Sequence, residues 1–420
     1  MVYYDLSKHP NYEPTPLLAT NWTWNSPTSI TFQIRENVVF HDGTPLTPTA
    51  IKWNFDRLMW FSNESGLVPA NDTSKTGFSS SLYYLPTGDY LFDSFVADDV
   101  NMQFTINLNG AFGVLLDLLC FISTNIISPT SHKFYEIVQL DEILVGTGPW
   151  IMKSHAPRRE IRYERNGRWW GKAQYFDQII MKFVDDDTAR MNAGLAGQYD
   201  YVSGVLKTYI AQFQSTSGMH VEDIGEGFGY YYFEIYCGPR DYDGSWFTGH
   251  EYDHQYQRNN ATFRRALSYA MNYTYIIEEI QQGQAYYGVP AVPRDFPGHN
   301  ASVYFGYNES SYKDQIEKAR ALIKICYPSV ALPVTMDGGS NDAAWKALSL
   351  ITLEMNEHSG GGLSTDLSLI AEASFDLIGV EVAVTVREWG EYLDVGELTP
   401  WEMDCGFVGW GPDYLNPYNM

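Results

Sequence analysis

Between Ile30 and Trp60 the hydrophobic period changes from two residues to nearly four, and that change limits the folds open to the chain. Ile30, Phe32 and Ile34 alternate with Thr31, Gln33 and Arg35, as in a strand with one buried face. Val38 to Phe40 reads as a second extended piece. His41-Asp42-Gly43-Thr44 reads as a turn, with Gly43 free to take a positive φ. Thr47-Pro48 has the form of a helix N-cap followed by proline at the first helical position. Ile51, Phe55 and Leu58 follow at helical spacing, which predicts a helix to about Trp60.

The alternation of α and β signals continues through the chain. Met102 to Leu108 reads as a strand and Leu115, Leu116 and Leu119 as part of a helix. A turn at Gly146 to Trp150 feeds the strand Ile151 to Ser154, with Arg162 to Arg165 as its hairpin partner. Ile179 to Phe183, a helix at Asp187 to Leu195 and a strand at Tyr199 to Val202 read as a parallel α/β unit. Phe228 to Ile235 is an aromatic strand. Adjacent tyrosines there face opposite ways, so Tyr230, Tyr231 and Tyr232 cannot all line one pocket. Asn260 to Gly283 reads as a helix stopped by Gly283, and Lys313 to Ile325 as another. Pro333 to Met336 and Val380 to Val386 read as strands flanking a helix at Ala343 to Met355. Residues 61–90 read as an irregular loop.

A chain of 420 residues exceeds one compact core, so two or three lobes are expected. Its net charge of −24 argues against nucleic acid as a partner, because phosphate binding needs a basic surface. Aromatic residues make up 15%, a composition that suits ligand pockets. Cys120, Cys237, Cys326 and Cys405 form no CxxC pair, so a zinc or redox motif is not supported; four buried free thiols are expected, with one or two disulfides of unread connectivity as the alternative in an oxidising compartment. No apolar run reaches the roughly 18–20 residues that span a membrane. Sequons at Asn21, Asn63, Asn71, Asn260, Asn272, Asn300 and Asn308 favour an exported glycoprotein. His41-Asp42-Gly43 reads as a structural turn and Asp185-Asp186-Asp187 as helix N-terminal charge. No nucleophile or zinc-protease motif points to an enzyme, and no cofactor is expected.

Several motifs in order carry a family resemblance. Thr31-Phe32-Gln33-Ile34-Arg35-Glu36-Asn37-Val38-Val39-Phe40-His41-Asp42-Gly43-Thr44-Pro45-Leu46-Thr47 resembles the T-F-x-L-R-x-G-V-x-F-x-D-G-x-P-[LF]-T pattern of family 5 extracellular solute-binding proteins of ABC transporters. Asn37 stands where that pattern has glycine, and asparagine tolerates the left-handed conformation better than most residues. Gly146-Thr147-Gly148-Pro149, Glu164-Arg165-Asn166, Ala189-Arg190 and the Phe263 to Asn272 helix resemble further family motifs. So do Trp389 to Tyr392 and Gly409-Trp410-Gly411-Pro412-Asp413-Tyr414.

The resemblance implies an α/β fold, two-lobed and like the type II periplasmic binding proteins, with an extra subdomain in the N-terminal lobe. Compared with the family, the chain reads as truncated at both ends. The implied division is 1–145 as the extra subdomain, 146–232 as the sheet of lobe I and 233–420 as lobe II. The implied function is capture of short peptides between two lobes and delivery to a membrane permease, outside the cell membrane or in the periplasm, by a monomer anchored through a segment this chain lacks. An oligosaccharide receptor and a surface adhesion protein are the alternatives. Asp413 would pair with a ligand amine, since a half-buried carboxylate recovers its lost hydration from a cation. Trp410 and Trp389 would supply pocket aromatics, and Val408 and Gly409 a backbone edge for an extended peptide. Tyr231 lies near the expected crossover between lobes.

Overall fold

The structure, a computed structural model, describes residues 1–8, 12–62, 80–139, 141–222, 227–237, 260–288, 292–294, 296, 298–300, 302, 311–359, 362–398 and 403–416. The chain divides into two compact units. One comprises Met1–Gly204 with Pro412–Met420, the other Val205–Gly411.

In the first unit β1 (Val2–Tyr4) and β2 (Pro14–Pro16) form an antiparallel ribbon. β3 (Ala19–Ser26), β4 (Ser29–Ile34), β5 (Phe92–Asp98) and β6 (Gln103–Leu108) form an antiparallel sheet in the order β3-β4-β6-β5. The alternation at Ile30, Phe32 and Ile34 puts all three in the core. The helix Pro48–Ser62 covers that face, with the Phe55 ring 5.1 Å from Phe104 and 5.3 Å from Phe95. Thr47 Oγ1 accepts from the Ala50 N–H (3.2 Å), as an N-cap should. Gly43 takes φ 91 and Asn37 φ 59, so asparagine does adopt the left-handed turn.

β7 (Trp150–Ala156), β8 (Glu160–Arg165) and β9 (Gln178–Lys182) follow as two antiparallel hairpins. Asp186 caps the helix Asp187–Leu195, its Oδ1 accepting from Ala189 N–H. The parallel unit expected over 179–202 is not formed. Among the described residues no strand pairs with 199–202, and Tyr201 is 82% exposed.

The parallel unit lies instead in the second unit of the chain. β10 (Tyr230–Ile235), β11 (Ile351–His358), β12 (Val380–Arg387) and β13 (Cys405–Trp410) form one sheet in the order β10-β13-β11-β12. β11 runs parallel to β12 and β13, and β10 antiparallel to β13. The crossover helix Gly362–Asp376 buries Leu367, Ala371 and Phe375 against the sheet. Helices Ala261–Ala270 and Tyr312–Cys326 pack on one another through Phe263, Leu267, Ile316 and Ile323.

Three sequence expectations fail here for physical reasons. The helix expected over 343–355 stops early, as Ser340–Lys346, and Ile351 begins a strand whose Ile351, Leu353 and Met355 are buried between neighbours. Pro333 to Met336 is not a strand, because side chains take its carbonyls. Trp345 Nε1 donates to Pro333 O (2.7 Å) and Arg320 Nη1 to Thr335 O (2.7 Å). The helix expected over 260–283 breaks at Met271, where Asn272 caps a new turn through Tyr275 N–H (3.1 Å). A wide turn follows, closed by Gln281 N–H to Ile276 O (2.9 Å), and Gly283 at φ 72 ends it.

None of the four cysteines is in a disulfide. Cys405 is buried, Cys120 and Cys326 are half-buried, and Cys237 is exposed, so the expected burial holds fully for one of them. Of the sequons, Asn21 and Asn300 are exposed, Asn260 and Asn272 cap helical turns, and Asn63, Asn71 and Asn308 lie outside the described residues.

Candidate ligand-binding face

The β10–β13 ladder gathers most of the expected site residues. Tyr230 lies opposite Trp410, Tyr231 opposite Gly409, and Tyr232 opposite Val408. Directly opposed residues share a face of the sheet. Tyr230, Tyr232 and Glu234 therefore share one face with Gly406, Val408 and Trp410. Tyr231, Phe233 and Ile235 share the other with Cys405, Phe407 and Gly409.

The second face is mostly core. The Phe233 ring lies 4.9 Å from Phe407 and 5.6 Å from Phe375 of the crossover helix. Its outer end is exposed at Tyr231. Tyr231 is 56% exposed and lies across Gly409, where an added Cβ would stand 3.2 Å from its ring.

The first face carries an aromatic group. Tyr230 and Tyr232 rings are 5.4 Å apart. The helix Trp389–Leu398 brings in Tyr392, whose hydroxyl donates to Glu234 Oε1 (2.5 Å). Trp389 stacks on Tyr392 at 5.7 Å and 10°, and His358 meets the Trp389 ring edge-on at 5.1 Å. Burial, then the bond to Glu234, raises the Tyr392 phenol well above its ordinary range, so it stays a donor. Below it Asn356 is 2% exposed and accepts from Arg387 Nε (2.9 Å). That bond fixes the amide's orientation and leaves Asn356 Nδ2 without a partner.

The backbone of β13 offers a further feature. Tyr236 N–H donates to Asp404 O (2.9 Å). In an antiparallel ladder the bonded pairs recur every second residue, so Gly406, Val408 and Trp410 direct their amide groups at β10. Phe407 and Gly409 direct theirs the other way. The β11 ladder on that side reaches only Met355–Cys405 and Asn356–Gly406. Gly409 thus presents an N–H and a C=O beyond the last described strand pairing on that side.

Asp413 belongs to the first unit. It is half-buried on a segment held by Tyr414 in the core, by Leu415 N–H to the Tyr4 hydroxyl (3.2 Å), and by Asn416 Nδ2 to Asp117 (3.2 Å). The structure therefore joins Val408 and Trp410 on one face, with Trp389 reached through Tyr392. It puts Gly409 and Tyr231 on the other face, and Asp413 in the other unit. The sequence reading named Tyr232 and Tyr392 without placing them in the site, and passed over Glu234, His358 and Asn356. The i, i+3 spacing of Trp389 and Tyr392 on one helix was the available signal for that pair.

Two α/β units, with a mixed sheet that carries an open strand end beside exposed aromatics, are the makings of a solute receptor. Residues 13–420 match the family described as bacterial extracellular solute-binding proteins, family 5 middle, and the chain belongs to it. It is 23% identical over 414 residues to the oligopeptide-binding protein OppA of Bacillus subtilis, covering 93% of this chain and 65% of that one. It is 22% identical over 419 residues to the dipeptide-binding protein of Escherichia coli, covering 97% and 69%. The structure of the periplasmic binding protein DppA from Helicobacter pylori, in complex with the peptide STSA, superposes with a TM-score of 0.72 at 22% identity. It matches 100% of this chain and 73% of that one. The fold is that of the periplasmic binding proteins. Among the described residues no helix is long and apolar enough to cross a membrane.

Proposed function

We propose that this chain captures short peptides outside the cytoplasmic membrane and hands them to the permease of an ABC importer. The observation that carries the reading is the open backbone of Gly409. An extended peptide satisfies such a strand end through its own main chain, which gives affinity without side-chain selection. Val408 and Trp410 supply the flanking apolar surface, and Trp389 extends it through its stack on Tyr392. Tyr231 closes the opposite side of Gly409. Asp413 follows Trp410 by three residues and pairs with the ligand's α-amino group. The receptor acts as a monomer, tethered at the membrane, and performs no chemistry on its cargo.

Thermal unfolding against short peptides tests this. Ligand at ~100 times its dissociation constant adds about 2.7 kcal/mol of stability. The shift is expected with free peptides, and to be lost on N-acetylation and in Asp413→Asn. The exposed Trp389, stacked flat on Tyr392, gives sugar rings a competing platform. A shift with oligosaccharides alone would overturn the peptide reading.

A further inference from the structure

The charge of this chain is unevenly placed. Residues 153–182 hold eight of its 27 Lys and Arg but only three of its 51 Asp and Glu. The segment is thus +5 within a chain of −24. It is also the exposed β7-β8-β9 sheet. Its three acids are already paired. Glu164 meets Lys153 (3.2 Å), Glu160 meets Arg162 (2.6 Å) and Asp177 meets Arg165 (2.7 Å). Arg168 is spent on the His41 carbonyl (2.8 Å). Arg158, Arg159 and Lys182 make no ion pair among the described residues.

Those three cations converge. Arg158 sits at the β7–β8 tip at φ 59, a conformation uncommon outside glycine. Lys182 lies opposite Glu160 in the β8–β9 ladder. With Glu160, Phe183 and Val184 they line one open cleft. Beside it Ile180, Met181 and Phe183 are 44%, 48% and 42% exposed. The cations outnumber the one carboxylate among them, Glu160, and an excess of cations next to exposed apolar side chains is what interfacial binding to anionic lipid requires. The rest of the chain is strongly acidic and is repelled by such a membrane, which favours approach through this sheet.

We propose that the Arg158–Arg159–Lys182 cluster docks the protein on an anionic phospholipid surface and sets which face meets the membrane. The inference rests on the extracytoplasmic placement proposed above, but not on the ligand being a peptide. Each basic residue near an anionic surface contributes roughly fivefold in partitioning, so three give about 100-fold.

Co-sedimentation with vesicles of phosphatidylglycerol and phosphatidylcholine, against phosphatidylcholine alone, tests it. The wild-type chain is expected to bind the anionic vesicles only, and to release in molar salt, where screening shortens to about 3 Å. The variant R158Q/R159Q/K182Q should bind about 100-fold more weakly. The variant K133Q/K313Q/K346Q carries the same net change elsewhere and should bind as wild type. No binding by the wild type, equal loss in both variants, or retention by the first would each overturn the proposal. Capture by the permease that depends on Arg158, without vesicle binding, would also overturn it and assign the patch to a protein. Peptide thermal shifts on the same variants keep the two readings apart. If the shift persists while vesicle binding fails, only docking is refuted, and if vesicle binding holds without a shift, only peptide capture is.

Discussion

Gly406 and Gly409 lie three residues apart on β13, and the structure predicts opposite outcomes for the same substitution. A Cβ at Gly406 would stand 2.9 Å from the backbone oxygen of Asn356 and 2.6 Å from the Tyr392 hydroxyl. The Asn356 oxygen belongs to the short β11–β13 ladder and cannot move without opening it. Forced contacts of this kind cost about 1–3 kcal/mol. If the Tyr392 hydroxyl is pushed off Glu234, a charge-assisted hydrogen bond worth about 1.5–3 kcal/mol goes too. A Cβ at Gly409 meets only the Tyr231 ring, at 3.2 Å, and that exposed ring can swing away.

Gly406→Ala is therefore expected to destabilise the second unit by about 3 kcal/mol, and Gly409→Ala by less than about 0.5 kcal/mol. At roughly 2–4 °C per kcal/mol for a unit of this size, Gly406→Ala lowers Tm by about 6–12 °C. Calorimetry reads both variants. A double-mutant cycle isolates the cause. In the Tyr392→Phe background the hydroxyl contact is gone, so Gly406→Ala should cost less there. Equal Tm changes at the two glycines, or an unchanged cost in the Tyr392→Phe background, would refute the reasoning.

Three further outcomes follow from buried or strongly hydrogen-bonded groups. Arg320 is fully buried against Asp342 (2.8 Å), so Asp342→Ala leaves a buried guanidinium short of its counter-charge. A loss of about 3–5 kcal/mol in urea unfolding is expected, and a loss under about 1 would contradict it. At Asp42, burial pushes the carboxyl up. Bonds from Ser128 (2.5 Å), Ser131 (2.6 Å) and Thr44 N–H (2.9 Å) outweigh it and hold the group well below the usual range. A depressed folded value stabilises above the ordinary 3.8 and loses that stability as pH falls below it. The Tm gap between wild type and Asp42→Asn should then be widest near neutral pH and shrink below about pH 4. For Tyr392 the shift is upward, so the unfolded chain releases its proton first above 10.0. Stability should fall as pH rises past that value, and fall less steeply in Tyr392→Phe.

What the sequence made legible was local. The Thr31–Thr47 stretch encodes its strand, turn and helix start within one continuous segment, so alternation, Asn37 and Thr47 could each be read in place. The same holds for the Asp186 and Asn260 caps. Where distant groups decide, local signals failed. Pro333 to Met336 has the composition of a strand, but Arg320 and Trp345 claim its carbonyls. Ile351 to Met355 continues a helical pattern on paper, yet it enters a slot between β12 and β13 that only the folded sheet creates.

The candidate site shows the same division more sharply. Alternation alone separates Tyr231 from Tyr230 and Tyr232. It does not say which side is core. That is settled by Phe375, whose helix covers Phe233 and Phe407. The resemblance marks Trp410 as a pocket aromatic, and Tyr231 is expected near the crossover between lobes. The register sets them on opposite sides of the sheet. A peptide held by the Gly409 backbone would therefore lie edge-on to β13, with Trp410 above the strand and Tyr231 below. Replacing either aromatic alone would remove one wall and leave the hydrogen-bonding edge intact. Asp413, proposed to pair with the ligand's amine, lies on a segment anchored by Tyr4 and Asp117, so its placement depends on packing within the first unit. No window of sequence around Gly409 could have carried that information.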